Sequence, residues 1–205
     1  MYEIVKLLRT QWYTIAVLLF VSCNSGIKHK TETYRNPIIP GFAPDPSICR
    51  VGDDFYLINS TFEYFPGIPI YHSRDLVNWK LIGNALYSIN QNVNMDFINS
   101  SAGIHAPTIR YHEGLFYIIT TNNINGKMVN FIITTEDPKG TWSKAYVLKD
   151  APGIDPSLFF DDDGKVWYTG SNVPPNPEFD GQSEIWMQEL DIDQMQLVRE
   201  RYYLT

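Results

Sequence analysis

Cysteine is almost missing from this chain: Cys23 and Cys49 are the only two among 205 residues. That excludes a disulfide framework and a thiolate metal centre, and it leaves Cys49 to be read as a small buried hydrophobe. Basic residues are also sparse. Sixteen Lys and Arg stand against 23 Asp and Glu, for a formal charge of -7 and an isoelectric point near 5.0. Phosphate binding needs a field of clustered Lys and Arg, so nucleic acid is excluded as a partner and an uncharged ligand is favoured. Charge runs of the kind that keep a chain disordered are lacking, since 19% of residues are charged and 44% are apolar. Such a chain folds around a core. No sustained helical period runs through the region after the N-terminal segment, which argues for β-structure. The catalytic signatures GxSxG and HExxH and the phosphate-binding glycine loop are absent too. Asp161-Asp162-Asp163-Gly164 has adjacent acids where a calcium loop needs them at alternate positions, so it reads as a hairpin turn.

The N-terminus carries Lys6 and Arg9, an apolar stretch from Tyr13 to Val21, then Ser22 and Cys23. That stretch falls short of the ~20 residues a membrane-spanning helix needs, and its layout is that of a bacterial secretory signal. A small residue before Cys23 resembles a lipoprotein cleavage site, at which the cysteine is lipidated. Residues 1–23 are therefore expected to be a signal, 24–35 a polar tether, and 36–205 the folded domain, exported to the periplasm or held at the outer membrane of a bacterium by a lipid anchor.

Aromatic residues are plentiful, with 13 Tyr, 11 Phe and 5 Trp. They suit β-strands and also surfaces that stack on sugar rings. After residue 43 a segment recurs in which Pro, a hydroxyl residue and an apolar pair lead into a turn and an aromatic strand. It begins at Asp45-Pro46-Ser47-Ile48, Ala106-Pro107-Thr108-Ile109 and Asp155-Pro156-Ser157-Leu158. A second hairpin follows each copy: Ile68 to Ser73 with Trp79 to Ile82, Asn130 to Thr135 with Trp142 to Leu148, and Glu184 to Leu190 with Leu197 to Glu200. Turn residues sit at Gly52-Asp53-Asp54, His112-Glu113-Gly114 and Asp162-Asp163-Gly164. A four-stranded unit recurring every ~40 to 60 residues is the sequence sign of propeller blades, and three are expected here. A β-sandwich is the structural rival, but it leaves the shared Pro-Ser/Thr register unexplained.

Equivalent positions in successive blades lie at equivalent depths, so Asp45 and Asp155 are expected to face one channel as a carboxylate pair. Ala106 in the second copy means that the blade does not itself require the acid. Paired carboxylates are what glycoside hydrolysis uses. The competing reading is that each Asp caps a turn before proline.

The stretch from Asn36 to Trp79, with Pro44-Asp45-Pro46-Ser47 and TFEYFPG from Thr61, resembles the opening of glycoside hydrolase family 43, in the branch of β-xylosidases and α-L-arabinofuranosidases. GIHAPTIRYHEGLFYI from Gly103 and GIDPSLFFDDDGK from Gly153 extend the resemblance over the rest of the chain. It implies an all-β, five-bladed β-propeller, of which about three blades are present. It also implies hydrolysis with inversion at terminal β-D-xylosyl or α-L-arabinofuranosyl units of xylan, arabinoxylan or arabinan. Asp45 matches the general base and Asp155 the carboxylate that adjusts the pKa of the acid. Phe62, Glu63 and Phe65 match a segment that walls the sugar site, with a core role open for Phe65. His105 stands where many relatives carry Trp, which leaves a sugar contact or a structural role open. The acid itself is a Glu in a Glu-Gly-Pro motif of the fourth blade. No such motif precedes Thr205, and Glu178, Glu184, Glu189 and Glu200 lack its context. The chain is thus expected to be the N-terminal part of a longer enzyme and inactive alone. No cofactor is expected; an ion in the propeller channel, held by some family members, is left without identifiable ligands. The rivals are a carbohydrate-binding propeller without catalysis and a retaining fructan or sucrose hydrolase, whose Asn-Asp-Pro-Asn type opening Pro44-Asp45-Pro46-Ser47 does not match.

Overall fold

The computed structural model describes residues 33–204, and Asn36–Thr205 form one compact unit. The signal, Cys23 and most of the tether lie outside the described residues. Among the described residues twelve strands form three four-stranded antiparallel sheets, each built in chain order. The first contains β1 (Ser47–Val51), β2 (Asp54–Ile58), β3 (Gly67–Ser73) and β4 (Lys80–Leu86). The second contains β5 (Gly103–His112), β6 (Leu115–Ile124), β7 (Lys127–Thr135) and β8 (Tyr146–Val147). The third contains β9 (Ile154–Phe160), β10 (Val166–Asn172), β11 (Glu184–Asp191) and β12 (Gln196–Leu204). Each sheet begins at one of the three Pro-Ser/Thr copies. A 3₁₀ turn, Ile89–Gln91, is the only helical element among the described residues.

The sheets stack through their faces, and the sequence of the middle one shows why. In β6, Phe116 and Ile118 enter a cluster with Ile58, Ile70 and Trp142 on the side of the first sheet. The alternate residues Tyr117 and Ile119 enter a second cluster with Leu158, Tyr168 and Trp186 on the side of the third. Strand β7 divides in the same way, Phe131 and Ile133 to one side and Ile132 to the other. Successive strand residues point to opposite faces, so a sheet buried on both faces needs an unbroken apolar run. Fully burying one such Ile or Phe is worth about 1.5–3 kcal/mol, which is why these runs anchor the stack. Cys49 packs against the first cluster, and burial pushes its thiol up to about 12, as the hydrophobe reading requires.

The second hairpins differ from the sequence expectation in extent. Strand β4 starts after Trp79 and runs on to Leu86, while β8 is reduced to Tyr146–Val147 because Trp142 leaves the sheet to fill the first cluster. Strands β6 and β7 are longer than expected, because Asn125-Gly126, both at positive φ, close a tight hairpin between Ile124 and Lys127. The Asp161 to Lys165 stretch is a hairpin turn, closed by Asp161 N–H to the Lys165 carbonyl at 2.8 Å.

Candidate active site

The first strands of the three sheets are neighbours, β1 beside β5 and β5 beside β9. At the start of each the backbone makes the same irregularity. In the third sheet Ser157 pairs with Thr169 and Ile154 with Ser171, so Asp155-Pro156 stand opposite Gly170 alone. In the second, Thr108 pairs with Ile119 and His105 with Thr121, so Ala106-Pro107 stand opposite Thr120. In the first, Ser47 pairs with Ile58 while the Ser60 amide donates to the Pro44 carbonyl at 3.2 Å, so Asp45-Pro46 stand opposite Asn59. Each is a β-bulge, where a strand can accept proline because the ladder is interrupted there. Asp45, Ala106 and Asp155 are therefore equivalent by register. The two acids share a further feature that Ala106 lacks. Asp45 and Asp155 sit at φ 50° and 55°, a left-handed conformation that costs a residue with a Cβ free energy and that gathers at functional sites.

Neither acid caps a turn among the described residues, which removes the local explanation for both. The one partner of Asp45 is the Ser60 hydroxyl, which donates to Oδ2 at 2.5 Å and leaves Oδ1 free. Both carboxylates reach solvent. The protein packed around Asp155 still disfavours its charge, and the nearby Asp45 carboxylate adds to this, so the Asp155 pKa is raised; His105 works in the opposite direction. The bulges thus bring the two acids within reach of each other's charge.

His105 lies at the bulge of the second sheet. Its carbonyl accepts from the Thr120 hydroxyl, its Nε2 is buried without a hydrogen-bond partner, and its ring meets Phe62 edge to face at 5.5 Å. Phe62 reaches this place because residues 61–65 lie against the second sheet. Phe62 and Ile104 exchange two backbone hydrogen bonds of 2.9 Å each. So close an approach needs a glycine: a Cβ on Gly103, at φ +86°, would stand 2.2 Å from the Phe62 carbonyl oxygen.

Glu63 does not point its carboxylate freely into the site. Its two oxygens accept from the Ser100 hydroxyl at 3.2 Å and the Ser101 amide at 3.1 Å, and its own backbone N–H together with these donors holds its pKa below the usual value. Its observed contacts fix the loop before β5. Phe65 is 45% exposed, lines a cavity of about 420 Å³ with Ile89, Val93 and Met95, and belongs to neither apolar cluster. Glu189 is occupied by Arg199 at 2.8 Å. Among the described residues no group of three or more His, Cys, Asp or Glu side chains is arranged to hold a metal ion.

The hydroxyl residue after each proline joins the sheets. Ser47 Oγ accepts from the Ile109 amide at 3.1 Å, and the Thr108 hydroxyl donates to the Pro156 carbonyl at 3.0 Å. Ser157 Oγ accepts from Arg110 at 2.8 Å, and Arg110 Nε donates to the Leu158 carbonyl at 3.0 Å. The repeated Ser/Thr thus holds neighbouring bulges in register, and so sets the spacing of the acids. Sequence reasoning missed Arg110, Ser60 and Gly103. Only Gly103 left a trace, as a glycine immediately before a strand that bears a site residue.

The Glycosyl hydrolases family 43 description matches residues 34–205. A xylosidase/arabinosidase of Butyrivibrio fibrisolvens is 56% identical over 169 residues, 80% of this chain and 32% of the relative. A non-reducing end α-L-arabinofuranosidase of Bacteroides ovatus is 53% identical over 138 residues, 67% of this chain and 26% of the relative. Among solved structures, a xylan β-1,4-xylosidase from Bacillus halodurans superposes with a TM-score of 0.78 at 38% identity, over 84% of this chain and 34% of that one. The chain spans about a quarter to a third of the length of these relatives. On these matches, over the residues that form the three sheets, the chain belongs to glycosyl hydrolase family 43.

Proposed function

We propose that the protein removes terminal β-D-xylosyl or α-L-arabinofuranosyl units from plant polysaccharide, with inversion at the anomeric carbon. The observation that carries this reading is the pair Asp45 and Asp155, set at equivalent bulges in left-handed backbone, free of capping work and coupled through their charges. Relatives named as xylosidases and arabinosidases support the sugar class.

In this reading the three sheets are blades of a five-bladed propeller around a channel that the first strands face. Water attacks the anomeric carbon and gives its proton to the free Oδ1 of Asp45, while Ser60 fixes Oδ2. The glycosidic bond breaks, and the leaving oxygen takes a proton from a general acid. In this reading that acid is a Glu in a Glu-Gly-Pro motif, which residues 1–205 do not contain. Asp155 tunes the acid through its charge. Phe62 walls the terminal sugar, with His105 behind it. Cys23 carries a lipid that keeps the exported protein at the membrane.

The test is Asp45→Asn in the full-length protein, assayed on aryl β-xyloside and aryl α-arabinofuranoside. Asn keeps the hydrogen bond from Ser60 but cannot take the proton, so turnover should fall by roughly 10² to 10⁴ with folding intact, the range for a positioned general base. Turnover within a few-fold of the wild type would remove Asp45 from the mechanism. Saccharide binding without hydrolysis by the wild type would identify a carbohydrate-binding propeller.

A further inference from the structure

Asp155 is suspended from the sheet beside its own. One residue after it, the Pro156 carbonyl accepts from the Thr108 hydroxyl of β5 at 3.0 Å. Two residues before it, the Gly153 carbonyl accepts from the Asn130 side chain of β7 at 3.1 Å, and the same amide nitrogen donates to the Ala151 carbonyl at 2.8 Å. The remaining polar atom of that side chain, Oδ1, accepts from the Thr121 hydroxyl of β6 at 2.6 Å. Asp45 is held differently. The carbonyl before it, that of Pro44, accepts from the Asn59 side chain at 3.0 Å and the Ser60 amide at 3.2 Å, both directly after β2 of its own sheet.

Asn130 is 1% exposed and lies on the same face of β7 as Ile132, which packs with Leu158 and Trp186. A polar side chain in such a place has lost its hydration and must have every hydrogen bond remade, as both hydrogens and the oxygen of Asn130 have. These contacts run between two neighbouring sheets and do not depend on what covers the outer surface.

What Asn130 holds is the entry to a strained bulge. Asp155 sits at φ 55°, and Gly153, at φ +88°, lies so close to β10 that a Cβ on it would stand 1.9 Å from the Ser171 carbonyl oxygen. Left-handed backbone at a residue with a Cβ persists where the surroundings over-determine it. Here Gly153 is pressed against Ser171 and tied to Asn130, and Pro156 is tied to Thr108, so the backbone on both sides of Asp155 is fixed.

We propose that Asn130 is a positioning residue for Asp155: through the Ala151 and Gly153 carbonyls it sets where the Asp155 carboxylate stands relative to the general acid. The inference rests on the role given to Asp155 in the glycosidase reading. Asn130 acts through backbone and not on the sugar. A carboxylate beside the acid opposes loss of the acid's proton and keeps it protonated to higher pH, so displacing Asp155 moves the basic limb of turnover towards lower pH. Asp45 from the first sheet and His105 from the second are the titratable groups whose charges act on Asp155, and a change at Asn130 replaces neither.

The experiment compares the pH dependence of kcat on an aryl pentoside for the full-length protein, Asp155→Asn, Asn130→Val and the double variant, with melting temperatures alongside. Asp155→Asn should lower the basic limb by about one pH unit, and Asn130→Val by part of that. The double variant should keep the limb of Asp155→Asn alone, because a residue that acts through a carboxylate has nothing to place once the charge is gone. Ile132→Ala, two residues along the same face, is the control for lost packing: it should lower the melting temperature and leave the limb in place. An Asn130→Val limb that coincides with the wild type, or that adds in full to the Asp155→Asn shift, overturns the positioning role. So does an Ile132→Ala shift as large as that of Asn130→Val, which assigns the effect to a loosened core. If Asn130→Val does not fold, Asn130→Ser, too short to reach both carbonyls, carries the same comparison. Failure of both to fold assigns Asn130 to holding the sheets together and overturns the proposal. An active wild type whose limb is unmoved by Asp155→Asn removes the proposal and the role of Asp155 while the glycosidase reading stands, whereas a wild type that cleaves no pentoside overturns that reading as well.

Discussion

Gly103 offers a sharp test of how the site is assembled. Its φ of +86° and the 2.2 Å approach of the Phe62 carbonyl oxygen to an added Cβ mean that Gly103→Ala cannot be absorbed without moving backbone. The atoms in the way belong to the pair of 2.9 Å hydrogen bonds between Phe62 and Ile104, so separation sacrifices both. Each such bond is worth about 1 kcal/mol net, and alanine in left-handed backbone adds about 1 kcal/mol of strain, for a total near 3 kcal/mol. In the full-length protein that loss should appear as a fall in Tm of a few degrees, since the shift shrinks as the cooperative unit grows. Gly52→Ala is the internal control. Gly52 also has positive φ, +60°, but nothing lies within 4 Å of its added Cβ, so it should show only the strain, about 1 kcal/mol. The assay is thermal unfolding of the full-length protein and both variants, with KM on an aryl pentoside measured for the folded enzyme. Because Phe62 moves with its bridge, Gly103→Ala should also raise KM several-fold, and Gly52→Ala should not. Equal Tm losses for the two variants with unchanged KM would refute the idea that the Phe62–Ile104 bridge sets the sugar wall.

Asp155→Asn should stabilise the protein at pH 7. The raised pKa means that the folded state resists ionisation of Asp155, so wild-type stability falls as pH rises from the ordinary carboxylate value through the raised one. Melting curves should show a gain that shrinks towards zero at acid pH, and a gain independent of pH would reject the charge argument. Arg110→Ala removes the donor that joins β5 to Ser157 and Leu158, and should lower stability by about 2–4 kcal/mol in denaturant titration. A loss under 1 kcal/mol would mean that the sheets are held by apolar contacts alone. Cys23→Ser should release the mature protein into the soluble fraction, because the acyl chains attach through the sulfur. Continued membrane association after signal cleavage would count against lipidation.

The sequence by itself determined the strand units and where each begins, because the Pro-Ser/Thr copies mark a backbone event. Proline cannot donate to a ladder, and the bulge is where a strand tolerates it. It also determined that Asp45 and Asp155 are equivalent while Ala106 is not acidic, a statement about repeat register that needs no coordinates. The unbroken apolar runs of β6 and β7 were readable as strands, but their division between two clusters was not, since which face meets which neighbour depends on the stacking of sheets. Tertiary structure alone decided that Trp142 leaves its strand for the core, that Glu63 spends its carboxylate on Ser100 and Ser101, and that Phe65 stays in solvent. It alone decided the coupling of Asp155 to Asp45 across about 110 residues of chain, because a pKa responds to burial and to charges near in space. Arg110 and Ser60 carried no signal for the same reason. Their roles consist of one hydrogen bond for Ser60 and two for Arg110, all to partners remote along the chain, and no local pattern encodes a distance of that kind.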